Sequence, residues 1–159
     1  MRRRGSQLAI VLTMLFAGAI LSHSQNSPRA LVVIVNKNNP VNDLSANELR
    51  RIFLGERKFW TGSRKIIVLM RNDGSVERQK ALRFLQMSEL NYKKHWLQKI
   101  NSGDADAAPV ALPANGTAVS LVSGSDNAIA FIPLADLKDS VKVVKIDGHS
   151  PNDPAYPLP

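Results

Sequence analysis

The chain has 159 residues, no cysteine and a formal net charge of +8. The missing cysteines exclude disulfides, thiolate metal sites, thiol nucleophiles and a lipid-modified cysteine. The basic excess suits an anionic ligand or surface without naming one.

Arg2, Arg3 and Arg4 precede an uncharged apolar run at residues 8–21 (LAIVLTMLFAGAIL). Ser22-His23-Ser24 then places small residues at the two positions a signal peptidase reads. The run is shorter than the roughly 20 residues of a spanning helix. Residues 1–24 therefore read as a secretory signal peptide. Cleavage leaves about 135 residues, enough for one domain with one core. The expected location is the periplasm, with no stable membrane anchor after cleavage.

Residues 31–35 (LVVIV) form a β-branched apolar run, the pattern of a strand buried on both faces. Turn residues at 36–40 (NKNNP) end it. Ser45 and Glu48 then spell a capping box, with Leu44 and Leu49 placed as a hydrophobic staple. Leu49, Ile52 and Phe53 make the apolar stripe of this helix, and Gly55 is its natural stop. Residues 56–63 form a polar loop, and residues 65–70 a second buried strand. Residues 76–87 follow a helical pattern. Ser88 caps a further helix, on which Tyr92, Trp96 and Ile100 share one face with Leu97 beside them. Residues 101–115 read as loop. A short helix is expected over 116–122, and strands over 128–132 (AIAFI) and 141–146 (VKVVKI). The last has the partial alternation of an edge strand. Residues 147–159 hold four prolines and read as a disordered tail. The domain is thus bounded at 25–146. Alternating strands and helices predict an α/β fold with a parallel or mixed sheet flanked by helices.

The stretch MRNDGSVERQ, residues 70–79, joins a strand to a helix through an arginine and a tight Gly-Ser turn. Such a junction presents backbone amides, a helix dipole and a cation to an anion. Arg71, Asn72, Gly74 and Ser75 are its candidate ligands. Thr117, in the second helix start Asn115-Gly116-Thr117, is the fifth, because it can face the same end of the sheet. The plainer reading is a capped helix start, with Asp73 or Ser75 as cap, Glu77 or Arg78 solvated, and Arg71 paired to Asp73 or Glu77.

Other chemistries find little support. His95 has no second ligand at metal spacing and reads as a solvated surface residue. No nucleophile elbow or phosphate-cradling P-loop pattern occurs, and no nucleophile–base pair can be nominated for an enzyme. No cofactor is implied. The Arg50-Arg51 and Lys93-Lys94 pairs read as solvated helix faces, and export argues against nucleic acid. Trp60 and Trp96 read as packing residues, with a surface-lining role as the alternative for Trp60.

One ordered set of residues resembles a family. It comprises Asn36, Asn39-Pro40-Val41, Leu44-Ser45, Leu49-Arg50, Ile52-Phe53-Leu54-Gly55, Trp60, Gly62-Ser63, Arg71, Gly74-Ser75, Trp96 and Ala128-Ile129-Ala130-Phe131. Together these resemble the phosphate ABC-transporter substrate-binding proteins. The resemblance implies a periplasmic binding protein-like fold of type II, here a single lobe. It also implies inorganic phosphate or a similar oxyanion as ligand, and a membrane transporter or sensor as partner. By position Arg71 matches the family's anion-binding Arg and Ser75 its Ser. Val76 and Glu77 stand where the family has Gly and Thr. Glu77 brings a carboxylate to the donors an anion would use, and Asp73 adds another. The alternative function is a protein-interaction module that keeps the lobe and has lost its ligand.

Overall fold

The computed structural model describes residues 30–158; the signal-peptide reading lies outside them. Among the described residues no helix is long and apolar enough to cross a membrane.

Six strands and four helices follow in chain order. They are β1 (Leu31–Asn36), β2 (Asp43–Leu44), α1 (Ala46–Phe53), β3 (Ile67–Arg71), α2 (Val76–Leu85), α3 (Glu89–Asn101), β4 (Val110–Leu112), α4 (Asn115–Ser123), β5 (Ala128–Pro133) and β6 (Val141–Ile146). A 3-10 turn at Leu134–Asp136 follows β5. The sheet order is β2-β6-β1-β5-β3-β4. β1 runs antiparallel to β5 and β6, while β3 is parallel to β5 and β4. The sheet is therefore mixed, with helices on both faces.

β1 shows why both faces are covered. All six of its residues are buried. Successive side chains alternate across a strand. Leu31, Val33 and Val35 accordingly join Leu49, Ile52, Phe53, Leu82 and Phe131 in one core cluster. Val32 and Ile34 join Ala118, Val119 and Val122 of α4 in the other. Asn36 closes the strand by donating its amide to the Val122 and Ser123 carbonyls, at 3.0 and 2.7 Å. Both belong to the last turn of α4, whose carbonyls have no partner further along the helix.

Each helix start behaves as its local sequence dictates. Ser45 and Glu48 form the expected reciprocal capping box. Ser75 caps α2 and Ser88 caps α3, each accepting from the backbone N–H three residues on.

Four expectations need correction. The loop read over 101–115 contains β4, which pairs Val110, Ala111 and Leu112 with Leu69, Met70 and Arg71. A three-residue strand is too short for periodicity to reveal. β6 is not the outermost strand, because two-residue β2 covers it. On α3, Tyr92 and Trp96 are buried as expected, but Leu97 is 58% exposed and Ile100 39%, so the core covers a narrower stripe than the sequence suggested. Trp60 packs in the core as expected: it is 2% exposed and donates Nε1–H to the Asn127 carbonyl at 3.1 Å, so its surface-lining alternative fails. Finally, Tyr156 and Leu158 of the proline-rich segment are buried against the core. Two large apolar side chains hold those residues down despite the prolines around them.

Candidate functional site

β3, β4 and β5 run parallel and end on the same side of the sheet. Ligand sites of open α/β sheets assemble beyond such strand ends. Arg71 ends β3, Asn115 begins α4 three residues after the end of β4, and Asp136 closes the turn after β5. Arg71 and Asn115 both reach Glu77 of α2, and Asp136 joins them through Asn115.

Arg71 donates Nη1–H to the Leu112 carbonyl at 2.8 Å. Its Nε lies 3.7 Å from Glu77 Oε2, an ion pair beyond hydrogen-bond reach. That Nε is buried without a hydrogen-bond partner. Asn115 Nδ2 donates to Glu77 Oε1 at 3.0 Å and to Asp136 Oδ2 at 2.8 Å. Flipping this amide would turn a carbonyl toward two carboxylates, so the network sets its orientation. Asn115 Oδ1 is then buried and unpartnered. The Asn115–Glu77 bond also shows that the starts of α2 and α4 meet here. Ala114, the cap residue of α4, makes no side-chain cap bond, so the first N–H groups of that helix keep their capacity to donate.

The remaining candidates serve the turn. Asn72 N–H donates to the Leu112 carbonyl at 3.0 Å, and its own carbonyl accepts from Ser75 N–H at 3.2 Å. Gly74 has φ +79°, which a side chain would resist. Ser75 spends its hydroxyl as acceptor of the Arg78 N–H at 3.2 Å. Thr117 lies half-buried in the first turn of α4, but Asn115 is the α4 residue that reaches Glu77.

Glu77 is therefore neither solvated nor idle. Burial alone would raise its pKa. The Asn115 amide, a backbone N–H and the Arg71 charge more than offset that and hold it below its ordinary value of 4.5. Glu48 is likewise held low, by Ser45 and then Arg57. A carboxyl whose pKa is lower in the fold than in the unfolded chain adds stability above the unfolded value. That stability is lost as pH falls through the folded value. The expected urea midpoint is flat above about pH 5 and falls below about 4.5, less steeply in Glu77→Gln. A midpoint unchanged between about pH 3 and 6 would refute the coupling.

Arg78 corrects another expectation, since it is buried rather than solvated. It forms a bidentate pair with Glu89 at 2.8 Å for both bonds and contacts Asp73 at 3.3 Å. It also donates Nη1–H to the Arg71 carbonyl at 3.1 Å. Lys93 pairs with Asp73 as well. Asp73 is thus committed to its own cations, away from Arg71. His95 is half-buried and donates Nε2–H to the Leu54 carbonyl at 2.8 Å, in place of the solvated role expected. Among the described residues, no group of three His, Asp or Glu side chains could hold a metal ion.

The sequence marks Arg71 as the end of a strand before a tight turn, but not that Asn115, Asp136 and the Leu112 carbonyl gather beside it. Asn115 and Asp136 could have been sought as the polar residues just beyond the C-terminal ends of parallel strands. The Leu112 carbonyl carries no side-chain signal at all.

No family model matches the chain. Among solved structures it is similar to an ABC-type phosphate transport receptor from Vibrio cholerae, at 22% identity and a TM-score of 0.63, covering 77% of this chain and 48% of that one. It is also similar to a Clostridium perfringens protein assigned as a phosphate ABC-transporter substrate-binding protein and solved with bound phosphate. That match has 27% identity and a TM-score of 0.63, over 76% of this chain and 46% of that one. The PstS protein of Borrelia burgdorferi matches at 17% identity and a TM-score of 0.61, over 76% of this chain and 48% of that one. The chain spans about half the length of these receptors. Its fold is that of one lobe of a type II periplasmic binding protein.

Proposed function

We propose that the protein is an exported, non-enzymatic oxyanion-binding protein of the phosphate-receptor kind. On this reading it works in the periplasm and serves a membrane transporter or sensor. The observation that supports it best is the placement of Arg71. Its guanidinium stands at the end of a parallel strand, beside the starts of α2 and α4, with Nε unbonded. A guanidinium fork and two helix N-termini match an oxyanion in both charge and geometry. The solved relative with bound phosphate adds the fold-level argument.

Glu77 makes the site self-limiting. An incoming anion meets a carboxylate already 3.7 Å from Arg71 Nε. Repulsion between that carboxylate and a dianion about 5 Å away costs on the order of 1 kcal/mol even when screened by solvent.

Calorimetry on the chain from Gln25 onward tests the reading with phosphate and sulfate. The expected result is micromolar binding, weakened about 100-fold by Arg71→Ala through loss of charge-assisted bonds. Glu77→Thr tightens it about tenfold.

The engagement of Arg71 by Leu112 and Glu77 favours a second reading, an interaction module with no ligand. Leu90, Leu97 and Ile100 of α3 give it an exposed apolar face. Absence of heat at millimolar phosphate and sulfate, in both wild type and Glu77→Thr, would select this reading.

A further inference from the structure

The site offers more charged groups than a simple oxyanion uses. Arg71 supplies one positive charge, while Glu77 and Asp136 supply two negative ones. One amide group holds both carboxylates, through Asn115 Nδ2 at 3.0 and 2.8 Å. Arg71 stands beside Glu77, while Asp136 accepts from the Asn115 amide. Asn115 Oδ1 is a third acceptor, buried and unpartnered. On the other side of Glu77, Arg71 Nε is a donor, buried and unpartnered.

We infer that the ligand is an amino-bearing oxyanion: an anionic group for Arg71 joined by a short linker to an ammonium group for Asp136, Glu77 and Asn115 Oδ1. An ammonium has three N–H donors and no acceptor. It therefore meets three acceptors here, two of them charged, and relieves the repulsion between two carboxylates that share one amide. The anionic group reaches the Nε of Arg71 and the first N–H groups of α4. Such a ligand turns Glu77 from a competitor into a contact. Sulfate brings no donor to these acceptors and phosphate only its one or two P–OH hydrogens, and both add negative charge beside two carboxylates.

Four separate elements build this arrangement: the end of β3, the first turns of α2 and α4, and the turn after β5. It is more than an acidic cluster or a single helix end, because it holds an unpartnered donor and an unpartnered acceptor on opposite sides of one carboxylate.

The inference rests on the reading of Arg71 as an oxyanion site, and the test separates the two. The protein purified after export is titrated with O-phosphoethanolamine, ethyl phosphate and inorganic phosphate. Ethyl phosphate matches the first compound in size and lacks the ammonium. The expected result is at least tenfold tighter binding of O-phosphoethanolamine than of ethyl phosphate. Asp136→Asn, which keeps an acceptor for the Asn115 amide, reduces that ratio to near one, by weakening O-phosphoethanolamine and easing the repulsion on ethyl phosphate. Arg71→Ala weakens all three. Equal or tighter binding of ethyl phosphate or phosphate by wild type overturns the ammonium assignment and leaves the oxyanion site standing. A preference that survives Asp136→Asn also overturns it. If none of the three compounds binds wild type or Glu77→Thr, the oxyanion reading fails and this inference fails with it.

Discussion

Gly55→Ala is expected to cost about 3 to 4 kcal/mol, the sum of left-handed backbone strain and overpacking. Gly55 follows the end of α1 with φ +68°. A Cβ built there meets the Trp96 ring at 2.5 Å from Cη2 and 3.0 Å from Cζ3. That ring cannot simply withdraw, since Trp96 is buried and its helix is tied to α1 at two further points. The Tyr92 hydroxyl donates to the Phe53 carbonyl at 3.2 Å, and His95 Nε2–H donates to the Leu54 carbonyl. Side chains of α3 thus satisfy the terminal carbonyls of α1, and the indole seals the turn that follows. Gly62→Ala is the control. Gly62 has φ +85° with nothing within 4 Å of its Cβ position, so it carries the strain without the collision. It is expected to cost about 1 to 2 kcal/mol. Urea denaturation of both variants decides the matter; equal losses would mean that packing against Trp96 contributes nothing.

Arg78→Met is expected to cost about 3 kcal/mol, at the lower end for removing one partner of a buried pair. The discount reflects the partners, since the Glu89 and Asp73 side chains are 36% and 55% exposed and can take up water once the guanidinium has gone. The Arg71 carbonyl also loses its donor, and the Tyr92 ring loses the cation 5.3 Å from its centroid. Arg78→Lys should recover less than half of the loss, because an ammonium cannot reproduce the two parallel bonds to Glu89. A double-mutant cycle with Glu89→Gln should show a coupling of about 1.5 kcal/mol or more. A loss under about 0.5 kcal/mol in Arg78→Met would mean that the network is merely a surface ion pair.

The features legible in the sequence were those written in neighbouring residues. Residues 31–35, 128–132 and 141–146 announced their strands through apolar β-branched runs, and Ser45, Ser75 and Ser88 announced three helix starts. Arg71 was legible as the last residue of a strand before a tight turn. The features that stayed hidden depend on distance. Glu77 and Asn115 lie 38 positions apart, and Asn115 and Asp136 lie 21 apart, so no local pattern marks their meeting. Arg78 looked like any charged helix residue until α3 brought Glu89 against it. The apolar spacing of α3 overstated its buried face, because periodicity reports which residues could pack and not how wide the neighbouring surface is. Tyr156 and Leu158 were obscured by the prolines around them, whose turn preference says nothing about where a large side chain finds a hole.

The place of β1 in the sheet bears on how the chain reaches this fold. Among the described residues it is the first strand made, yet its partners come last: Leu31 pairs with Pro133, and Val33 with Val144. Closing loops of roughly a hundred residues is slow, because the entropy is lost before the contacts form. Until residues 128–146 have been synthesised, the run LVVIV has neither neighbour, and it combines the high β-propensity and lack of charge that favour aggregation. The central strand is therefore the part of the nascent chain most in need of shielding. Any product truncated before β5 should go to aggregates or proteases rather than to a smaller folded lobe.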